Sequence, residues 1–259
     1  MFSALMDRRR LANVVCPGIL HSQIRYKNVL RHVLQPESRW LDLGCGHETI
    51  RPWALLPGEQ EASFTRRPGL SVGIDSDCPA LRGNRSIPHL VSGDIRALPF
   101  ADCSFDVVTA NMVLEHTDQP IALLSEVWRV LRPRGVFVFH TPNKYFPGSV
   151  LAAMLPETIK SRLVGLVTNR KEEDVYPTFY RINTGSAISK QSGRVGFRTK
   201  YSELVETLTY SPHMALFVIQ LAMAWLFRRR PLRKLRADFL VMLCKPTHDC
   251  YCSRWERCG

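Results

Sequence analysis

Three short stretches of this chain combine residue types that could do chemistry together. Trp40-Leu-Asp-Leu runs straight into Gly44-Cys-Gly46, and glycines at the carboxyl end of an apolar run let backbone approach a ligand closely. Val72-Gly-Ile ends in Asp75, whose carboxylate offers two oxygens, enough to accept hydrogen bonds from both hydroxyls of a ribose. Gly93 is followed by Asp94 and Ile95. An acid beside an apolar residue at a strand end could bracket an aromatic base, one bonding an exocyclic amine and the other packing on a face. Each feature alone has a plainer reading, as a turn glycine or a solvated turn carboxylate. Together and in this order they point to a nucleotide-like ligand.

Such residues need strands that all end at one edge. Segments 38–43, 69–75, 88–92, 104–110 and 135–140 read as strands, rich in Val, Phe, Leu and Ile. Between the last two, Ile121, Leu124, Val127, Trp128 and Leu131 mark a helix face over 120–131, which Pro133-Arg134-Gly135 stops. Strand-helix-strand repetition argues for an α/β chain with a parallel sheet covered on both faces. An amphipathic helix is expected over 21–34, a surface insertion over 55–68 and a variable segment over 141–181. A helix over 183–192 and strands over 198–208 and 237–245 complete the pattern.

Composition sets the outer limits. At 259 residues, 45% hydrophobic and 22% charged, the chain can bury a sizeable core, which excludes a disordered, collagenous or multi-span membrane protein. The net charge of +12 is uneven: residues 1–31 carry six Lys/Arg against Asp7, and residues 228–236 carry six with no acid. Eight cysteines are present. The first five are scattered singly, as in a reducing cytosol. His248, Cys250, Cys252 and Cys258 lack paired C-x-x-C knuckles, so a thiol-bearing tail is expected and no metal site. The first twenty residues show no signal-peptide pattern, and the expected location is cytoplasmic.

The motifs WLDLGCG, SVGID, SGDIRALPFADCSFDVVTANMVLEH and EVWRVLRPRGVFVFHTPN, spanning about 39–143, closely resemble those of the class I methyltransferases that use S-adenosylmethionine. The resemblance implies a Rossmann-like sheet of seven mostly parallel strands with an antiparallel last strand, and S-adenosyl-L-methionine above the strand ends. Residue by residue it implies that Asp42, Gly44 and Gly46 flank the methionine moiety. Asp75 would hold the ribose, Asp94 with Ile95 the adenine, and Asn111 would line the pocket. One departure is Glu48, where the family has a third glycine. Its carboxylate either crowds the cofactor or points outward at a helix start, where it suits the dipole. On this reading the chain is one domain: a cofactor core over 21–143, an acceptor-side segment over 144–236, the last strand over 237–246 and a tail over 247–259.

Methyl transfer from a sulfonium needs alignment and removal of a proton from the acceptor. The candidate bases are Glu115, His116 and His140, with the alternatives that His116 caps a helix and His140 is a satisfied strand-end residue. Tyr180 and Arg181 could grip a phosphate or sugar, or belong to a solvated loop. The downstream pattern looks like bacterial enzymes acting on glycans or lipid-linked small molecules, and transfer to oxygen is the expectation. Residues 214–227 are apolar except for Gln220 and abut the basic cluster. They are too short to span a bilayer, which takes about 20 residues. They could lie on an anionic membrane surface at its inner face or pack on the sheet. Thr109-Ala-Asn-Met112 lacks the N/D-P-P-aromatic tetrad of adenine-modifying enzymes, which lowers a nucleic-acid reading. A non-catalytic binding protein with its pocket spoiled by Glu48 is the other alternative.

Overall fold

A computed structural model describes residues 2–50, 54–55, 59–154, 177–208 and 213–247. Its sheet has seven strands: β1 (Arg39–Leu43), β2 (Leu70–Asp75), β3 (His89–Ser92), β4 (Phe105–Asn111), β5 (Leu131–Pro142), β6 (Arg198–Val205) and β7 (Asp238–Cys244). They lie in the order β3-β2-β1-β4-β5-β7-β6. β3, β2, β1, β4 and β5 pair in parallel. β7 alone is reversed, antiparallel to β5 and β6. This is the expected Rossmann-like α/β architecture.

Strand side chains alternate between two buried faces. Leu41, Leu43, Val108, Phe137, Phe139 and Val241 join one apolar cluster, and Trp40, Val107, Val138 and Leu240 join the other. That period-two division follows from the pleat, and strands buried on both sides read as nearly continuous apolar runs. Helix α5 (Pro120–Val130) covers the first face with Leu123, Leu124 and Val127, while Ile121 is exposed. α2 (Ser22–Val33) covers the second with Tyr26, Leu30 and Val33, spaced to fall on one stripe.

Among the described residues the other α-helices are α1 (Phe2–Val15), α3 (Ala62–Thr65), α4 (Cys78–Gly83), α6 (Pro147–Met154), α7 (Gly185–Val195) and α8 (Met214–Leu226). Sequence patterning assigns no element to α1, α4 or α6. α7 runs three residues past its expected end and stops at Gly196, at φ +109. The Cys-rich tail from His248 onward and the charged part of the acceptor segment, 170–176, lie outside the described residues.

Candidate active site

The carboxyl ends of β1, β2 and β4 surround a cavity of about 620 Å³. Its floor is the loop after β1. Gly44 and Gly46 adopt φ +61 and +45, the left-handed region that favours glycine. A Cβ on Gly44 would stand 2.5 Å from Val113 Cγ2. Asp75 Oδ2 accepts from the Gly46 N–H at 2.8 Å and Oδ1 from the Asp77 N–H at 2.9 Å. The carboxylate thus braces the loop while facing the cavity. Glu48 also lines the wall, and its φ is not positive. Its backbone conformation therefore does not demand glycine.

Asp42 does not reach the cavity wall. It is 1% exposed and accepts from the hydroxyls of Thr109 and Thr49, the latter at 2.7 Å. Trp40 Nε1–H donates to the same Thr109 hydroxyl at 2.8 Å. Burial raises the Asp42 carboxyl to about 7. It therefore supports the loop from beneath: Thr49, which it holds, lines the cavity and offers its carbonyl to Asn111 Nδ2 at 2.8 Å. Asn111 also exchanges amide hydrogen bonds with Gln23 of α2 at 2.9 and 3.1 Å. Gln23 is a lining residue that sequence reasoning missed, hidden on the face of a helix chosen for its apolar stripe.

Asp94 and Ile95 form part of the wall. The Asp94 carboxylate is already held by the Arg96 guanidinium at 2.9–3.1 Å, which also reaches Asp118 at 3.1 Å. These bonds pull Asp94 below the usual carboxylate range. An exocyclic amine at this point would share Asp94 with Arg96.

The expected base candidates separate. His140 is 1% exposed and is not among the lining residues. Its ring stacks on Tyr26 with centroids 5.9 Å apart, Nδ1 lies 2.9 Å from Asn111 Oδ1, and Nε2 lies 3.3 Å from Asp238 Oδ2. It is a packed support behind Asn111, inside β5 rather than at the strand's end. Glu115 and His116, on the single turn Leu114–His116, both line the cavity. His116 Nδ1 is 2.8 Å from the Pro177 carbonyl. A carbonyl only accepts, so Nδ1 carries the proton and neutral His116 keeps its basic lone pair on Nε2. That nitrogen is 3.8 Å from Glu115 Oε1. Glu115 is 3% exposed; burial raises its carboxyl to about 7. Thr141 donates to its Oε2 at 2.9 Å, and Asn183 donates to Thr141 at 2.7 Å.

The acceptor-side expectation shifts along the chain. Arg181 is exposed and does not line the cavity, and its carbonyl accepts from Gln191. Tyr180, at φ +50, is not a lining residue either, although its N–H points to the Glu115 carbonyl at 3.3 Å. Pro177 and Phe179 form the wall instead. Met112 also lines the cavity, in the uncommon left-handed region (φ +59). For a non-glycine residue this is strained backbone of the kind that gathers at binding sites.

Residues 41–139 match the family model described as "Methyltransferase domain". A 45% identical segment of 82 residues, 30% of this chain, aligns with a probable S-adenosylmethionine-dependent methyltransferase of Mycolicibacterium smegmatis and covers 32% of it. Residues 41–139 form a methyltransferase domain similar to those of S-adenosylmethionine-dependent enzymes. A demethylmenaquinone methyltransferase of Beutenbergia cavernae is 39% identical over 143 residues, 53% of this chain and 55% of the relative. A malonyl-[acyl-carrier protein] O-methyltransferase of Methylococcus capsulatus is 34% identical over 114 residues, 43% of this chain and 40% of the relative. The chain thus spans about a third to a half of these relatives' lengths. The fold is shared with a Methanosarcina mazei SAM-dependent methyltransferase: TM-score 0.53, 17% identity, 88% of this chain and 99% of that one.

S-adenosylmethionine, the cofactor of this methyltransferase domain, presents a ribose diol, an adenine and a sulfonium cation, and the site fits all three. Among the described residues, Glu48, Asp75, Asp94, Glu115 and Asp118 line the cavity against the single arginine Arg96, an acidic pocket in a basic chain. The Gly44–Gly46 loop leaves room where side chains would intrude.

Proposed function

We propose that the protein methylates a hydroxyl of a small-molecule or lipid-linked acceptor, with His116 Nε2 taking the proton. When bound, S-adenosylmethionine supplies an activated methyl group on a good leaving group, so the side chains need only align the acceptor and remove its proton. The observation that supports this reading is the Pro177–His116–Glu115 arrangement: Nδ1–H held by a carbonyl, and a carboxylate 3.8 Å from Nε2. As His116 gains a proton, Glu115 offsets the new charge. Phe179 and Met112 give an apolar surface beside the base for the acceptor's carbon frame. Relatives named as an O-methyltransferase and as a demethylmenaquinone methyltransferase support a small-molecule acceptor of this kind.

The test is methyl-labelled S-adenosylmethionine with panels of alcohols, phenols, carboxylic acids, amines and bacterial lipid extracts, followed by mass spectrometry of the product. Label on oxygen, lost in His116→Gln with cofactor binding retained, is the expected result. Label on nitrogen or carbon, or full turnover in His116→Gln, would overturn it.

A further inference from the structure

Helix α8 has two unlike faces. Phe217, Leu221 and Ala224 recur at four- and three-residue intervals and pack on Ala12 and Cys16 at the end of α1. At 100° per residue, Met214, Val218, Ile219, Trp225 and Leu226 fall on one contiguous arc beside that seam. All five are exposed, Ile219 at 55% and Trp225 at 46%. An exposed apolar arc of this size marks an interaction surface. No helix among the described residues is long and apolar enough to cross a membrane.

Cations border this arc directly. Residues 228–236 carry six Lys/Arg and no acid. Arg228 and Arg236 lie 3.8 and 3.2 Å from Glu206, within the fold. Arg229, Arg230, Arg233 and Lys234 are exposed, and the Arg229 guanidinium sits 4.7 Å from the Trp225 ring centre. Apolar side chains rimmed by cations, with a tryptophan and an arginine at the boundary, match an anionic lipid interface: hydrocarbon below, phosphate above.

The sheet topology links this face to the active site. β7 is reversed, so its first residue, Asp238, pairs with Pro142 at the end of β5 and with Val205 at the end of β6. The basic turn Arg230–Leu235 just before it therefore lies at the cavity edge of the sheet. Asn143, fully buried, pins it there, donating to the carbonyls of Lys234 and Arg236 at 2.9 and 2.8 Å. Two residues earlier, Thr141 holds Glu115.

We infer that the outer face of α8 and the basic turn after it dock the protein on anionic membranes, so that the cavity edge is held close to an amphiphilic acceptor in the bilayer. Docking itself does not depend on the proposed reaction, and it is measured without cofactor.

The test is sedimentation of the full chain with vesicles of phosphatidylcholine alone and with vesicles of equal parts phosphatidylcholine and phosphatidylglycerol. Binding to the anionic vesicles only, weakening with salt, is expected. Arg230→Ala/Arg233→Ala/Lys234→Ala should weaken it about a hundredfold, at roughly a factor of five per cation near the surface. Ile219→Asp, at an exposed position, should weaken it at least tenfold by a separate route. Circular dichroism and S-adenosylhomocysteine binding check that each variant is folded. No sedimentation of the folded parent protein, or equal binding by parent and both folded variants, overturns the inference. So does a dimer that Ile219→Asp dissociates in the absence of vesicle binding, which would make a second copy the occupant of this face.

Discussion

Gly44 and Gly46 are two residues apart and share a left-handed backbone, yet a methyl group added to each should act differently. Either alanine costs about 1–2 kcal/mol in conformation. At Gly44 the new Cβ also meets Val113 at 2.5 Å, whereas at Gly46 the nearest atom, Asp75 Oδ2, is 4.0 Å away. Gly44→Ala should lower thermal stability more than Gly46→Ala. Gly46→Ala should fold and show its main defect as weaker S-adenosylmethionine binding, measured by titration. For the proton acceptor, His116→Gln should cut turnover by about 10²–10⁴ and leave cofactor affinity within a small factor. With the Glu115 carboxyl raised to about 7 by burial, the pair gains negative charge as pH rises. Turnover should therefore climb through about pH 7 and level above it. Glu115→Gln, which keeps the hydrogen bond from Thr141 but loses the charge, should lower the plateau.

At the scale of elements, Gly196 caps α7 at φ +109, and a Cβ there would press 3.0 Å from the Trp128 ring of α5. Gly196→Ala should destabilise the fold by roughly 1–3 kcal/mol, seen as a lower denaturant midpoint. This contact shows what sequence could and could not supply. β1, β2, β4 and β7 were legible because strands buried on both faces are nearly continuous apolar runs, and β1 and β2 end against Gly44 and at Asp75. The Gly-x-Gly loop and Asp75 were legible too, but only in combination, as glycines after one strand and a carboxylate ending the next. Side-chain direction was not. Asp42 sits one turn of the pleat from Trp40 and so points beneath the loop, and His140 follows the same alternation away from the cavity. Gln23, Pro177 and Phe179 reach the cavity from distant segments that no local pattern links to it. α1 was missed because its basic residues mask a short apolar seam, Ala12 and Cys16, that has meaning only against α8.

Across the whole molecule, charge is sorted: net +12 overall, acid in the cavity, cations at the cavity edge. Two buried carboxyls make stability depend on pH. Burial raises Asp42 and Glu115, each to about 7. Between about pH 4 and 7 the folded chain then holds protons that the unfolded chain has released, so their contribution to stability is lost as pH rises through this window and levels above it. Asp42→Asn should flatten that fall by about one proton, roughly 1.4 kcal/mol per pH unit, in denaturation curves across the window. The central claim is that this acidic, glycine-floored cavity holds S-adenosylmethionine against Asp75. Calorimetric titration of the purified chain with S-adenosylmethionine and S-adenosylhomocysteine, with Asp75→Ala alongside, tests it most directly. Micromolar binding of both ligands, weakened at least tenfold in a folded Asp75→Ala protein, is the predicted result. A folded, homogeneous protein that binds neither ligand, or an Asp75→Ala variant that binds both as the parent does, would contradict it.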